Sequence, residues 1–446
     1  MPPSNTQLDT KSIQGNVLKG FSRKRGVYLF ASFKGRAEDV RPRLGRLLKE
    51  YVTSASCQAE MTAAWKQTQQ SPGAGMFGLS WSGYNHLARA TAVTVAPELG
   101  GDPFKRGMFD RQYWDLSFDK WEEPYRSSPS RHIDCFLFLA DDEAARLDQT
   151  VDTAKKELSE FADIVAVESA GRLFEGPAGG AQYEIEHFGF RDGISQPGDP
   201  STVFTQEPLP FGDSDEGGFG CYAAFMKIEQ DVAKFAQNSK DLVASAEQQG
   251  VKVTPQDVQE LALGRRHNGD PLLPQVTGLN DFSFRTPPDV CPYHAHVRVM
   301  NPRDDPRGGP QGSPIVRRSM TYGAKWQDGE RATSGSGHPR GLLFLSLQKS
   351  LLDFTGLIRR AFQSRDPILG RSAQWTAEYT PPTTGCKNGR QPGQLWRFPG
   401  KQLCFQFADV TTIRGGEFFY IPSMNFIDHL AKEGTGATSR TPLRAS

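Results

Sequence analysis

Two widely separated stretches carry the same signal, and together they constrain the fold more than any other feature. Cys135-Phe-Leu-Phe-Leu-Ala140 and Gly341-Leu-Leu-Phe-Leu-Ser346 are uninterrupted apolar runs, each followed by an amphipathic segment. Runs of this length read as buried strands. After the first, Ala144, Leu147, Val151, Ala154, Leu158 and Phe161 recur at spacings of three and four, a helical stripe that Asp141-Asp142 can cap. After the second, Leu351, Phe354, Leu357, Ile358 and Phe362 form a similar stripe. Upstream of the first run lie a strand over 27–33, a helix with Val40, Leu44, Leu47, Leu48 and Tyr51 on one side, and a short strand over 76–80. A strand over 164–168 follows it. The succession strand, helix, strand, strand, helix, strand suits a ferredoxin-like α+β unit.

The second half repeats the plan. A strand over 222–228 leads into a helix from Glu229; strands are expected over 294–300, 315–322 and 341–346, and a closing strand over 417–422. The expected organisation is α+β, with an N-terminal half over 1–180 and a C-terminal half over 181–446. The boundary falls at the glycine-rich Gly176–Gly180. Segments 326–340 and 376–402 read as long loops.

Composition removes several function classes. With 52 basic and 51 acidic residues the net charge is +1, so no global field attracts nucleic acid or an anionic membrane. A mean hydropathy of −0.53, with 45 Gly and 31 Pro, describes a loop-rich soluble protein. No apolar run approaches the roughly 20 residues of a membrane span. The first residues are polar with no signal core, which favours a cytoplasmic protein; a processed extracellular form would read the same way. None of the six cysteines has C-x-x-C spacing, and Cys135 and Cys404 read as small buried hydrophobes.

Three segments offer chemistry. In Glu186-His-Phe-Gly-Phe-Arg-Asp192-Gly-Ile-Ser-Gln-Pro197 an acid stands between glycines that permit positive φ, in a stretch that cannot be regular helix. Asp-Gly is also a common turn dipeptide. In His294-Ala-His296 the two imidazoles of a strand share one face, so they could chelate a metal, or one could be a haem ligand beside the cations Arg298 and Arg303. In Ile315-Val-Arg317-Arg318 the arginines face opposite sides of a strand, so only one reaches a given pocket.

Gly189-x-x-Asp192-Gly193 in this context resembles the G-x-x-D-G motif of the dye-decolourising peroxidases. The likeness extends to Ile13–Leu18, Phe225–Val232, Gly341–Phe344 and Tyr420–Ser423. The resemblance implies two ferredoxin-like halves with antiparallel sheets enclosing a haem, of the dimeric α+β barrel type, with one haem b (iron protoporphyrin IX) per chain. It implies Asp192 as the distal acid that moves a proton between the peroxide oxygens, and Arg317 as the distal arginine. His296 matches the proximal iron ligand and Arg303 a propionate contact. Ile194, Ser195, Gln196, Leu342 and Phe344 complete the cofactor pocket. The expected partners are hydrogen peroxide and aromatic reducing substrates, with neither nucleic acid nor membrane; the chain could be a monomer or a homo-oligomer. Surface electron transfer is assigned to Trp375, with Tyr379 and Trp326 behind it. A family member usually has an aromatic where His267 stands. Asp353 is the acid expected to partner His296. The alternative is a haem-binding or haem-handling protein on the same fold with incidental peroxidase activity. Because the shuttle is an aspartate, whose ordinary pKa is about 3.9, activity is expected to favour acidic pH.

Overall fold

The computed structural model describes residues 9–69, 71–88, 101–110, 118–126, 132–177, 180–197, 199–206, 218–274, 278–285, 290–305, 315–327, 339–369, 385–388 and 391–433. Its strands, in chain order, are β1 (Arg25–Phe33), β2 (Ala74–Leu79), β3 (Cys135–Asp141), β4 (Ala162–Gly171), β5 (Leu173–Glu175), β6 (Tyr183–Ile185), β7 (Thr205–Gln206), β8 (Phe219–Gln230), β9 (Val316–Arg317), β10 (Met320–Tyr322), β11 (Gly341–Gln348), β12 (Gly385–Asn388), β13 (Gln391–Phe398), β14 (Lys401–Phe405) and β15 (Thr411–Ile421). The helices are α1 (Ala37–Tyr51), α2 (Ala55–Thr68), α3 (Trp81–Ala88), α4 (Gly101–Arg106), α5 (Ala144–Ser159), α6 (Val232–Glu247), α7 (Pro255–Leu263), α8 (His296–Met300), α9 (Leu351–Gln363) and α10 (Met424–Glu433).

One antiparallel sheet runs β10-β11-β8-β15-β2-β3-β1-β4, with β7 added to β8 and β9 to β11. In the quartet β1 to β4 the first strand lies between the third and fourth, and β8, β10, β11 and β15 have the same order. The duplication is therefore a property of the topology as well as of the two apolar runs. Phe225 of β8 meets Tyr28 and Phe30 of β1 at ring-centroid distances of 5.2 and 4.8 Å, although three strands separate β8 from β1 in the sheet. The sheet must curl to bring them together, and its inner face closes over Tyr28, Phe30, Phe136, Phe225 and Phe419, all fully buried. The edges β4 and β10 approach one another, and the Thr321 hydroxyl donates to the Gly171 carbonyl oxygen, but no backbone ladder joins them. The mixed α+β class stands, in the form of a curled sheet with an open seam.

Helices cover the outside. The stripe of α5 buries Leu147, Val151, Ala154 and Leu158, and α9 buries Leu351, Phe354 and Ile358. A second apolar core under α6 and α7 takes Phe188, Phe190, Phe235, Trp396 and Phe407. It is this core that anchors the motif around Asp192.

Several local expectations fail. Residues 294–300 are not a strand: the Arg298 and Val299 amides donate to the Ala295 carbonyl, winding α8. Alternating valines suit a strand by propensity, but the buried Arg298 overrides it. Its guanidinium donates to Asp305 at 2.7 Å and to the carbonyls of Cys291 and Phe284, which fixes the chain in a turn. The helix expected from Glu229 begins at Val232, because Asp231 accepts from the Lys234 amide and caps it. The strand over 315–322 is broken into β9 and β10, and the loop expected over 376–402 contains β12 and β13. Cys404 is half-buried and disulfide-bonded rather than a free buried hydrophobe.

Glu417 is a carboxylate buried within the curled sheet. Glu417 of β15 accepts from the amides of Met108 and Phe418 at 2.9 and 2.8 Å, and burial pushes its carboxyl up to about 7. An acid raised in the folded state contributes stability that is present below its unfolded pKa and lost as pH rises through the folded value. Glu417→Gln keeps the oxygen that accepts both amides and cannot ionise. Its melting temperature should pull ahead of the parent between pH 5 and 8, by an amount equivalent to about 3 kcal/mol at the upper end. Parallel melting curves across that range would show that Glu417 does not titrate in the fold.

Candidate active site

The segment around Asp192 is a short excursion closed by a bridge between Ile185 and Arg191. Gly189 and Gly193 both take positive φ, 89° and 75°, as their neighbours' tight turns require. Glu186 is half-buried at the base of this excursion and accepts from the amides of Phe188 and Phe190 at 2.9 and 3.0 Å. Burial pushes its carboxyl up to about 7. Phe188 stacks on Phe235 at 4.3 Å, and Phe190 on His267 at 4.1 Å. His267 thus occupies a stacking position where an aromatic was expected.

These anchors hold Asp192 in place. Its amide donates to the Glu184 carbonyl, and its Oδ1 accepts from the Gly193 amide at 2.6 Å and from Arg317 Nη1 at 3.0 Å. Oδ2 has no hydrogen-bond partner among the described residues. Arg317 is held by Gln196, whose side chain accepts from the Arg317 amide at 3.1 Å and donates to its carbonyl at 3.2 Å. Arg318 turns the other way and donates to the carbonyls of Asn16 and Val17. Both nonetheless border one cavity, so the expectation that only one of the pair reaches a given pocket fails.

His296 starts α8. Its Nδ1 lies 2.8 Å from Oδ2 of Asp366, while Oδ1 of that fully buried aspartate accepts from the amides of Ile368 and Leu369. Asp353, the partner expected from the sequence, lies in the first turn of α9, whereas Asp366 follows the helix's end. Nε2 of His296 makes no hydrogen bond among the described residues. His294 does not join it: it is fully buried, packs edge-on against Trp396 at 4.6 Å, and burial lowers its pKa to about 3. The paired-histidine chelate therefore fails, and no group of three metal-binding side chains occurs among the described residues.

Leu342 and Phe344 are half-buried in β11 while Leu343 and Leu345 are fully buried; Phe344 lies 6.4 Å from Phe354 of α9. The pair shares the sheet's α9 face. Arg303 lies over the Phe282 ring at 4.0 Å and donates to the Asn280 carbonyl; Arg265 lies over the same ring at 5.3 Å and donates to the Asn280 side chain. Asn280 in turn donates to the carbonyl of Ile194. Burial, then the charges of Arg303 and Arg317, lower the pKa of Arg265 to about 10, so three guanidiniums share one neighbourhood. Neither Arg265 nor Asn280 stood out in the sequence. Ser195 is half-buried beside Ile194. Trp326 is half-buried with the Arg340 guanidinium 5.0 Å from its ring, while Trp375 and Tyr379 lie outside the described residues.

Residues 184–387 match a family model described as Dyp-type peroxidase, C-terminal. The chain is similar to the multifunctional dye peroxidase of Amycolatopsis sp., 29% identical with 95% of this chain and 96% of that protein covered. It is similar to the dye-decolorizing peroxidase msp1 of Mycetinis scorodonius, 24% identical over 95% of this chain and 88% of that protein. Among solved structures it is similar to a DyP-type peroxidase of Anabaena sp., with 27% identity, a TM-score of 0.77, and 95% of this chain and 94% of that one covered. The matched segment holds Asp192, His296 and Arg317, and the similarity to dye-decolourising peroxidases extends along nearly the whole chain.

Proposed function

We propose that this peroxidase carries one haem b per chain, with His296 as the proximal ligand, and uses hydrogen peroxide to oxidise bulky aromatic donors, anthraquinone-type dyes and phenols among them, in one-electron steps. The observation that carries the cofactor reading is the His296–Asp366 pair. An imidazole anchored through Nδ1 to a buried carboxylate presents a neutral Nε2 lone pair in a fixed direction. The surroundings fit the rest of the group. Leu342 and Phe344 offer an apolar face, and Arg265, Arg303 and Arg317 form a cationic cluster suited to a ligand with two carboxylates.

Bound haem supplies the iron at which the peroxide bond is cleaved. The chain's own residues do the proton work. Asp192 takes a proton from one peroxide oxygen at its open Oδ2 and returns it to the other, so that water can leave. Arg317, held by Gln196, stabilises the negative charge that develops as the bond breaks. The same proposal places the division between halves at residue 180, supported by the repeated strand order. No helix among the described residues is long and apolar enough to cross a membrane. The disulfide at Cys404 weighs against the reduced compartment favoured from the sequence.

The test is a haem titration of the full chain followed by spectra and turnover. The expected result is a Soret band that saturates at one haem per chain, and peroxide-dependent bleaching of an anthraquinone dye. A chain that takes up no haem, or takes it up without turnover, overturns the reading.

A further inference from the structure

Reducing one hydrogen peroxide to two waters with two one-electron donors also consumes two protons, and these have to reach Asp192 from solvent. A cavity of about 350 Å³ borders Asp192, and a second carboxylate, Glu184, lines the same space together with Arg23, Arg172, Arg317 and Arg318. The backbone sets the two acids side by side, because the Asp192 amide donates to the Glu184 carbonyl across the bridge between Ile185 and Arg191. Each acid is tied to its own arginine through one oxygen, Glu184 Oε2 to Arg172 and Asp192 Oδ1 to Arg317. Oε1 of Glu184 and Oδ2 of Asp192 have no hydrogen-bond partner among the described residues. The cavity wall opposite is the N-terminal segment Gly20–Arg23, and the Arg172 side chain reaches it by donating to the Arg23 carbonyl.

We propose that Glu184 is the proton relay for Asp192, a positioning residue that passes solvent protons through this cavity to the catalytic acid. The inference rests on the reading of Asp192 as that acid. In each transfer the Oε1–H bond of Glu184 breaks, the proton crosses to the Asp192 carboxylate, and Glu184 is left as an anion beside Arg172 until solvent reprotonates it. No electrons move in this step. Burial raises the Glu184 carboxyl above its ordinary value, and Asp192 adds to this, against the pull of Arg172 and Arg317. Glu184 therefore holds a proton at pH values where a solvated glutamate has lost it, which suits a relay.

The experiment compares pH profiles of peroxide-dependent dye oxidation by the haem-loaded full chain. Glu184→Gln should lose activity increasingly as pH rises, by about tenfold at neutral pH, because only relayed protons become scarce. Glu184→Asp should recover part of that limb. Arg172→Gln, which removes the cation favouring ionised Glu184, should move the limb to higher pH and keeps the test open if Glu184→Gln misfolds. A second readout needs no turnover: in an infrared pH titration, the carbonyl band of protonated carboxyls in the parent should lose one component in Glu184→Gln. A loss of the same factor at every pH, or an unchanged carboxyl band, would overturn the relay. Asp192→Asn separates the two readings, since its retention of activity would remove the catalytic acid whatever Glu184 does.

Discussion

Replacing Asp192 with Asn should slow peroxide-dependent oxidation by about a hundred- to ten-thousand-fold, the range typical of a lost general acid–base group, while leaving haem content unchanged. The substitution is close to isosteric. An asparagine Oδ1 can still accept from the Gly193 amide and from Arg317 Nη1, so the excursion and its arginine keep their arrangement. What changes is the open position: where Asp192 has an oxygen able to take up and release a proton, the amide has a group that can do neither at any working pH. The ground state should therefore survive and the bond-breaking step should not. Rapid mixing with peroxide separates the two, because the spectral change on peroxide addition reads bond cleavage directly and the resting spectrum reads cofactor binding. Cleavage of peroxide by the Asp192→Asn protein at the parent's rate would show that the acid lies elsewhere, with Glu184 the next to try.

The placement of Asp192 was legible because it is fixed locally, whereas its proposed role came from the family resemblance. Two glycines at positive φ, two aromatics that plunge into the second core and the preceding Glu186 fix the carboxylate within one short segment. Alternation along an extended chain separated the hydrogen-bond partners of Arg317 and Arg318 but not their cavity, which both border. The ferredoxin-like order was legible twice over, through apolar runs that had to be buried strands. The pair His294 and His296 misled for a physical reason. Spacing fixes relative direction only when the secondary structure is known, and the buried Arg298 network winds that segment into α8. Arg265, Asn280 and Asp366 were not legible, because each finds its partner far along the chain, at Arg303, Ile194 and His296 respectively, and Glu184 was missed because only the bridge between Ile185 and Arg191 sets it beside Asp192. The one available sign for Asp366 was its place in Ser364-Arg365-Asp366-Pro367, just beyond an amphipathic helix, where a carboxylate can cap the following turn.

That turn makes Asp366→Asn the most informative change on the opposite side of the site. Oδ1 of Asp366 accepts from two backbone amides, and an asparagine oxygen can replace it there, so the turn after α9 should hold. The amide nitrogen then takes the place of Oδ2, facing His296 Nδ1 with a donor instead of an acceptor. To pair with a donor, Nδ1 must give up its hydrogen, and the neutral imidazole then carries its proton on Nε2. That is the atom whose lone pair the iron requires. Haem can bind only at the cost of the other tautomer, with two N–H groups opposed in a fully buried setting. The expected result is a roughly 10- to 100-fold loss in haem affinity, the range typical when a group orienting a metal ligand is removed. Competition of the loaded protein against apomyoglobin measures it. Asp366→Glu, which restores an acceptor on a longer arm, should recover part of the loss; equal weakening by Asn and Glu would assign Asp366 to the turn alone and leave His296 to be oriented by packing.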